Sequence, residues 1–239
     1  MLRGGRFGEM IINMTTIAIR PKHYIDRTLQ SLFDSDGGHL PVNLILGSKD
    51  SFHVERYRNV IANIVPWDQE ARFLSIEGDM RRNCTVNAIR ALRYSDHDHC
   101  LTCEDDVLFE KDWYSRLMAT VAEIERKDYV LNLGQGSEDA DAGRRYAVHT
   151  GNYLCGAQAI FYPNKSLRER VAGYLERRIN YGLNDMLVGK YAKEFAALYN
   201  TVPVLVHHIG QISSFTRIPA DNEIDHQHND HRATQGQLS

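Results

Sequence analysis

Three consecutive acids, Glu104, Asp105 and Asp106, stand between two short apolar runs at 101–103 and 107–109. Such a run reads as a buried strand ending in acid. Adjacent carboxylates repel one another, so holding them at the mouth of a core requires hydrogen-bond donors or a cation. Oxygen ligands suit magnesium or manganese, which keep open positions for phosphate oxygens. In an extended chain the side chains alternate faces, which puts Glu104 and Asp106 on one side and turns Asp105 away. The same residues also fit a solvated turn before a helix starting near Lys111, where acids are favoured by the helix N-terminus.

Other residues are candidates for chemistry by type and spacing. His207 and His208 leave a β-like segment at 202–206 and can reach a metal if that segment ends beside the acids, although paired histidines are also common structural residues. Asp185 precedes Met186, Leu187, Val188 and Tyr191, which sets it at or near a helix start, where aspartate often serves as a cap. Gly156 interrupts a strand at 153–162 and marks either a closely approaching ligand or a bulge. Arg20, Asp50, Arg81 and Arg82 fall at strand ends or helix starts, where a diphosphate would need cations. Cys100 and Cys103 form a C-x-x-C, but with no second pair the four cysteines read as reduced core thiols.

The elements that must bring these residues together alternate. A strand at 11–19 stops at Arg20-Pro21, and a helix at 24–33 follows with Ile25, Leu29, Leu32 and Phe33 on one face. A strand at 42–46 leads to a helix-like pattern at 52–65, and a strand at 72–76 to a helix at 82–93. After the acidic strand come a helix at 111–126, a strand at 129–133 and a glycine- and acid-rich loop at 134–145, long enough for a lid or acceptor-binding role. The next helix is capped by Asn164 or Ser166, the latter in a capping box with Glu169. Such alternation predicts a parallel sheet with helices packed on it, whose ligand crevice lies at the carboxyl ends of the strands.

At 239 residues with a formal charge of -3, the chain fits one large domain and has no global basic field for nucleic acid. Residues 1–10 read as a flexible extension and 217–239 as a polar tail, leaving a domain at 11–216. No apolar run approaches the roughly 20 residues that cross a bilayer, so the expected location is the cytoplasm.

With the acidic strand end, Asp185 and His208 in order, residues 15–216 resemble a metal-dependent nucleotide-sugar glycosyltransferase of the GT-A fold. Glu104-Asp105-Asp106 is similar to the E-D-D form of the D-x-D motif, and residues 206–214 resemble the histidine-glycine segment of N-acetylglucosaminyltransferase IV-like enzymes. The resemblance, which extends to family 2-like members, implies a GT-A (Rossmann-like), mostly parallel central sheet flanked by helices in a single α/β domain. It implies Asp106 and His208 as ligands to Mn2+ or Mg2+, with His207 the weaker candidate. Donor contacts would come from Glu104, Asp105, Arg20, Asp50, Arg82 and Gly156. Asp185 would be the base of an inverting transfer, although Asn184 stands where many members have a second acid. The short chain looks like a bacterial or phage version, with a UDP-sugar donor and a glycan or small-molecule acceptor. A hydroxylated base in phage DNA is the alternative acceptor, served by Arg3, Arg6 and the arginines of 168–178. A sugar-nucleotide-binding protein without turnover is a further alternative.

Overall fold

The computed structural model describes residues 10–16, 24–47, 52–66, 80–134, 143–151, 154, 156 and 158–210. Arg20, Asp50, the side chain of Arg81, the expected strand at 72–76, Cys155, both terminal segments and most of the loop at 134–145 lie outside them.

An eight-stranded sheet forms the centre. Strands β1 (Ile11–Thr16), β2 (Val42–Leu46), β3 (Asn63–Val65) and β4 (Cys100–Glu104) run parallel as neighbours in the order β3-β2-β1-β4. Beyond β4 the sheet continues through β8 (Ala159–Tyr162), β6 (Val130–Asn132), β9 (Leu198–Thr201) and β7 (Tyr146–Val148). Strand β8 is antiparallel to both neighbours, while β6 and β9 pair in parallel. Separately, β5 (Val107–Phe109) and β10 (Val206–His208) make a two-stranded antiparallel ribbon. The result is the single α/β domain with a mostly parallel sheet that the alternation predicts.

Helices cover both faces because each sheet face is apolar. On one face α1 (Ile25–Phe33) and α3 (Trp113–Glu123) pack with Ile12, Met14, Leu101 and Phe161 around fully buried Trp113. On the other, α2 (Met80–Arg93), α4 (Lys165–Arg177) and α5 (Asn184–Phe195) pack on Val130, Ile160 and Tyr162. Burial lifts the Cys100 thiol to about 11, which fits an inert core thiol and not a metal or redox pair.

Two polar devices fix this arrangement. The aligned residues Asn63, Asn43 and Asn13 form a ladder across three strands, with Asn63 Nδ2 donating to Asn43 Oδ1 at 2.7 Å and Asn43 Nδ2 to Asn13 Oδ1 at 2.9 Å. Asn13 Nδ2 then donates to the Ala91 carbonyl of α2 at 2.7 Å, so the ladder ties sheet register to helix position. The second device is Arg168, fully buried on α4, whose guanidinium donates to the carbonyls of Leu92, Ser95 and His97 at the end of α2.

Some sequence expectations change. The helix-like pattern at 52–65 divides into a 3-10 helix, Phe52–Tyr57, and β3, where β-branched Ile64 and Val65 join the sheet edge. Of the β-like segment at 202–206, residues 202–205 are the connection between β9 and β10, since Pro203 cannot donate to a ladder, and only Val206 is strand, opening β10. Asn164, not Ser166, caps α4, its side chain accepting from Leu167 N at 2.8 Å. Strand β7 was not anticipated, as three residues give too short an alternation to read.

Candidate active site

The acid triplet sits where β4 ends and β5 begins. Alternation holds through this turn. Glu104 and Asp106 face a cavity of about 290 Å3, while Asp105 turns the other way and accepts from the Thr16 hydroxyl, itself at the end of β1. Helix α1 holds the turn from behind: Thr28 Oγ1 donates to the Asp105 carbonyl at 2.8 Å and accepts from Val107 N at 3.1 Å. A hydroxyl that both donates and accepts can bridge the two sides of a tight turn.

The ribbon of β5 and β10 delivers the histidine. Register pairs His208 with Val107, and Ile209 N donates to the Asp106 carbonyl at 2.9 Å, so the chain after β10 passes directly over the acids. His208 Nε2 lies 3.2 Å from Asp106 Oδ2. His207 projects to the other face of the ribbon, where its Nε2 meets Glu110 Oε1 at 2.6 Å. Gly210 completes the approach: a Cβ there would sit 2.2 Å from Asp106 Oδ2 and 2.6 Å from His208 Nε2. A Cβ there would have to displace the Asp106 carboxylate and the His208 ring, so glycine leaves the cluster undisturbed.

Ligand atoms of Glu104, Asp106 and His208 lie within 4.8 Å of one another. Two carboxylates and an imidazole on one wall of a cavity fit a divalent ion that keeps other positions for phosphate oxygens. The field there is negative. Burial, with the added charge of Asp105, Glu104 and Asp106, pushes the neighbouring Cys103 thiol well above its ordinary value.

Other walls come from α2, through Cys84, Asn87 and Ala88, and from the start of α5, through Leu183, Asn184 and Asp185. Asp185 is not the cap of α5, a position held by Leu183, but lies in the first turn. Its Oδ2 accepts from Gly156 N at 2.8 Å and its Oδ1 from Met186 N at 2.7 Å. Gly156 has φ +92, a backbone conformation that favours glycine, and the Gln158 amide fills the place a Cβ would take.

The expected site residues therefore separate. Glu104, Asp106, His208, Gly156 and Asp185 line one cavity. Asp105 is buried on Thr16, and its side chain supports the turn. Arg82 does not line the cavity either: Cys84, Asn87 and Ala88 define the face of α2 turned towards it, and helical periodicity puts position 82 on the far side. Gln158, Asn87 and Thr15 line the cavity without having been singled out from sequence. Gln158 alone carried a signal, being a polar residue beside Gly156 at the start of an apolar strand.

Fold and site together define a Rossmann-like α/β domain with a carboxylate–histidine cluster in the crevice at its strand ends. No protein-family model matches the chain, and no curated protein matches it by sequence. Among solved structures, S. aureus TarS 1-349 is similar with TM-score 0.53 and 15% identity over 84% of this chain and 60% of that one. The same TarS region in complex with UDP-GlcNAc gives TM-score 0.51 and 14% identity over 86% of this chain and 61% of the other. The chain thus spans about 60% of the length of these structures. The shared fold agrees with the expected α/β domain, a mostly parallel central sheet flanked by helices. Among the described residues, no helix is long and apolar enough to cross a membrane.

Proposed function

We propose that this chain is a metal-dependent inverting glycosyltransferase that takes its sugar from a nucleotide-sugar donor, a UDP-sugar first of all. The observation that carries the reading is the cluster of Glu104, Asp106 and His208 on the same cavity as Asp185. A solved structure of the same fold holds UDP-GlcNAc, which supports this class of donor.

An acid cluster by itself repels a diphosphate, so Glu104, Asp106 and His208 make sense as the holders of Mn2+ or Mg2+. That ion would offset the negative charge developing on the leaving diphosphate. Asp185 accepts the proton of the acceptor hydroxyl while its oxygen bonds to the anomeric carbon and the bond to the donor phosphate breaks. Attack from the face opposite the leaving group inverts the anomeric configuration. The Gly156 N–H, donating to Asp185 Oδ2, keeps the carboxylate oriented. Asn184, in the place of a second acid, leaves Asp185 as the candidate base at this helix start.

Calorimetry with UDP tests the reading: binding strengthens with manganese and weakens with excess chelator, and UDP-sugar incubated with acceptor releases free UDP. Asp106→Asn removes the manganese effect with little change in thermal stability. Asp105→Ala does the opposite, lowering stability by about 1–3 kcal/mol through loss of the Thr16 bond. Equal UDP affinity with manganese and with chelator would refute metal dependence, and binding without turnover would favour the sugar-nucleotide-binding alternative. The DNA alternative loses one of its supposed phosphate contacts, since Arg168 is fully buried.

A further inference from the structure

Among the amides and hydroxyls that line the cavity, three are spent on backbone carbonyls. Thr15 Oγ1 donates to that of Cys103 at 3.3 Å, Asn87 Nδ2 to that of Ile45 at 3.4 Å and Thr102 Oγ1 to that of Ile160 at 3.4 Å. The carboxamides of Gln158 and Asn184 also line it, and among the described residues neither makes a hydrogen bond.

Gln158 differs from Asn184 in being tied to both ends of the site. Its carbonyl accepts from Glu104 N at 2.9 Å, which sets it beside the acid cluster. Its side chain folds back over Gly156, whose N–H donates to Asp185 Oδ2 at 2.8 Å, so the amide lies against the peptide that orients Asp185. Gly134, two residues beyond β6, borders it as well: a Cβ there would stand 3.9 Å from Gln158 Oε1. Two glycine neighbours add no side chain to cover the amide, which stays half-buried in the cavity wall.

In a single displacement the leaving diphosphate and the incoming acceptor oxygen stand on opposite faces of the anomeric carbon. With the diphosphate at the acid cluster and the acceptor at Asp185, the transferred ring occupies the space between them, and Gln158 borders that space. A carboxamide offers one acceptor oxygen and two donor hydrogens in a plane. Its match is a ring substituent that itself both donates and accepts, a hydroxyl or an acylamino group. A ring without that substituent leaves the amide unpaired in the wall and binds less well.

We infer that Gln158 is a specificity-determining residue, its carboxamide hydrogen-bonding a hydroxyl or acylamino substituent of the transferred sugar. The assignment rests on the reading of the cavity as a nucleotide-sugar site.

The test is calorimetry on the full chain with manganese, with UDP, UDP-glucose and UDP-GlcNAc as probes. Wild type is compared with Gln158→Met, an unbranched side chain of similar length that lacks the amide. UDP, which has no sugar ring, binds both proteins equally. At least one UDP-sugar binds the variant roughly three- to tenfold more weakly, the worth of one neutral hydrogen bond. A larger loss for UDP-GlcNAc assigns the partner as the acylamino group, a larger loss for UDP-glucose as the hydroxyl in its place, and equal losses as a hydroxyl that the two sugars share. Gln158→Asn, which keeps the wall polar but withdraws the amide by one methylene, shows the same split between UDP and UDP-sugar, so a poorly folded methionine variant does not end the test. Equal changes for UDP and both UDP-sugars, or no change for any of them, overturn the proposal. If UDP fails to bind the wild type with manganese, the donor reading itself falls and the role of Gln158 with it. UDP binding with an unaltered ratio of UDP-sugar to UDP affinity in the variants removes Gln158 alone.

Discussion

Asp185 shows how one carboxylate can be tested apart from its local structural role. Its two oxygens accept from Gly156 N and Met186 N, and an asparagine keeps one of those acceptors. Asp185→Asn should therefore fold normally. The base is lost, however, and proton transfer by a placed side chain is worth about 100- to 10,000-fold. Turnover should fall by that order while manganese-dependent UDP binding persists, and proton NMR of the wild-type product should show an inverted linkage. Near wild-type turnover would reduce Asp185 to a helix-start acid that orients Gly156. Gly210 offers the complementary test, since its Cβ would collide with both Asp106 and His208. Gly210→Ala should abolish the manganese effect on UDP binding and leave circular dichroism unchanged; an intact manganese response would show that the cluster can yield without loss.

Elements, more than single residues, decide what the sequence could reveal. The acidic strand end was legible because apolar runs flank it, and its alternation correctly separated Glu104 and Asp106 from Asp105. His208 was legible as a candidate, but its arrival at Asp106 depends on the ribbon of β5 and β10, whose strands are far apart in sequence. Arg82 was misplaced because a helix start was read without asking which face of α2 meets the cavity. The arginines of 168–178 were visible in the sequence, yet burial of Arg168 and exposure of Arg177 follow only from the packing of α4. Arg168 itself carries an element-scale prediction. It holds three carbonyls at the end of α2, the helix that lines the cavity. Arg168→Met keeps an unbranched apolar stem but orphans those carbonyls, at a cost of about 3 kcal/mol or more. The urea midpoint should drop accordingly. An unchanged midpoint would mean that water reaches the carbonyls.

For the whole molecule, the same junction links stability to pH. His99 precedes β4, and its ring packs edge-on against Phe161 of β8 with centroids 5.5 Å apart. Burial lowers its pKa below the usual histidine value, and Asp98 opposes that shift only in part. The unfolded chain then binds a proton at a higher pH than the folded one. Stability from this group is therefore fully present above the unfolded value, near 6.5, and is lost as pH falls below it. The melting temperature should decline between pH 7.5 and 5.5, and His99→Gln, which cannot titrate, should make the decline shallower. Other histidines contribute their own slopes, but these are common to both proteins and cancel in the difference. Parallel declines would assign the acid sensitivity elsewhere, whereas a shallower decline in the variant would trace it to the imidazole held between the α2 junction and the central sheet.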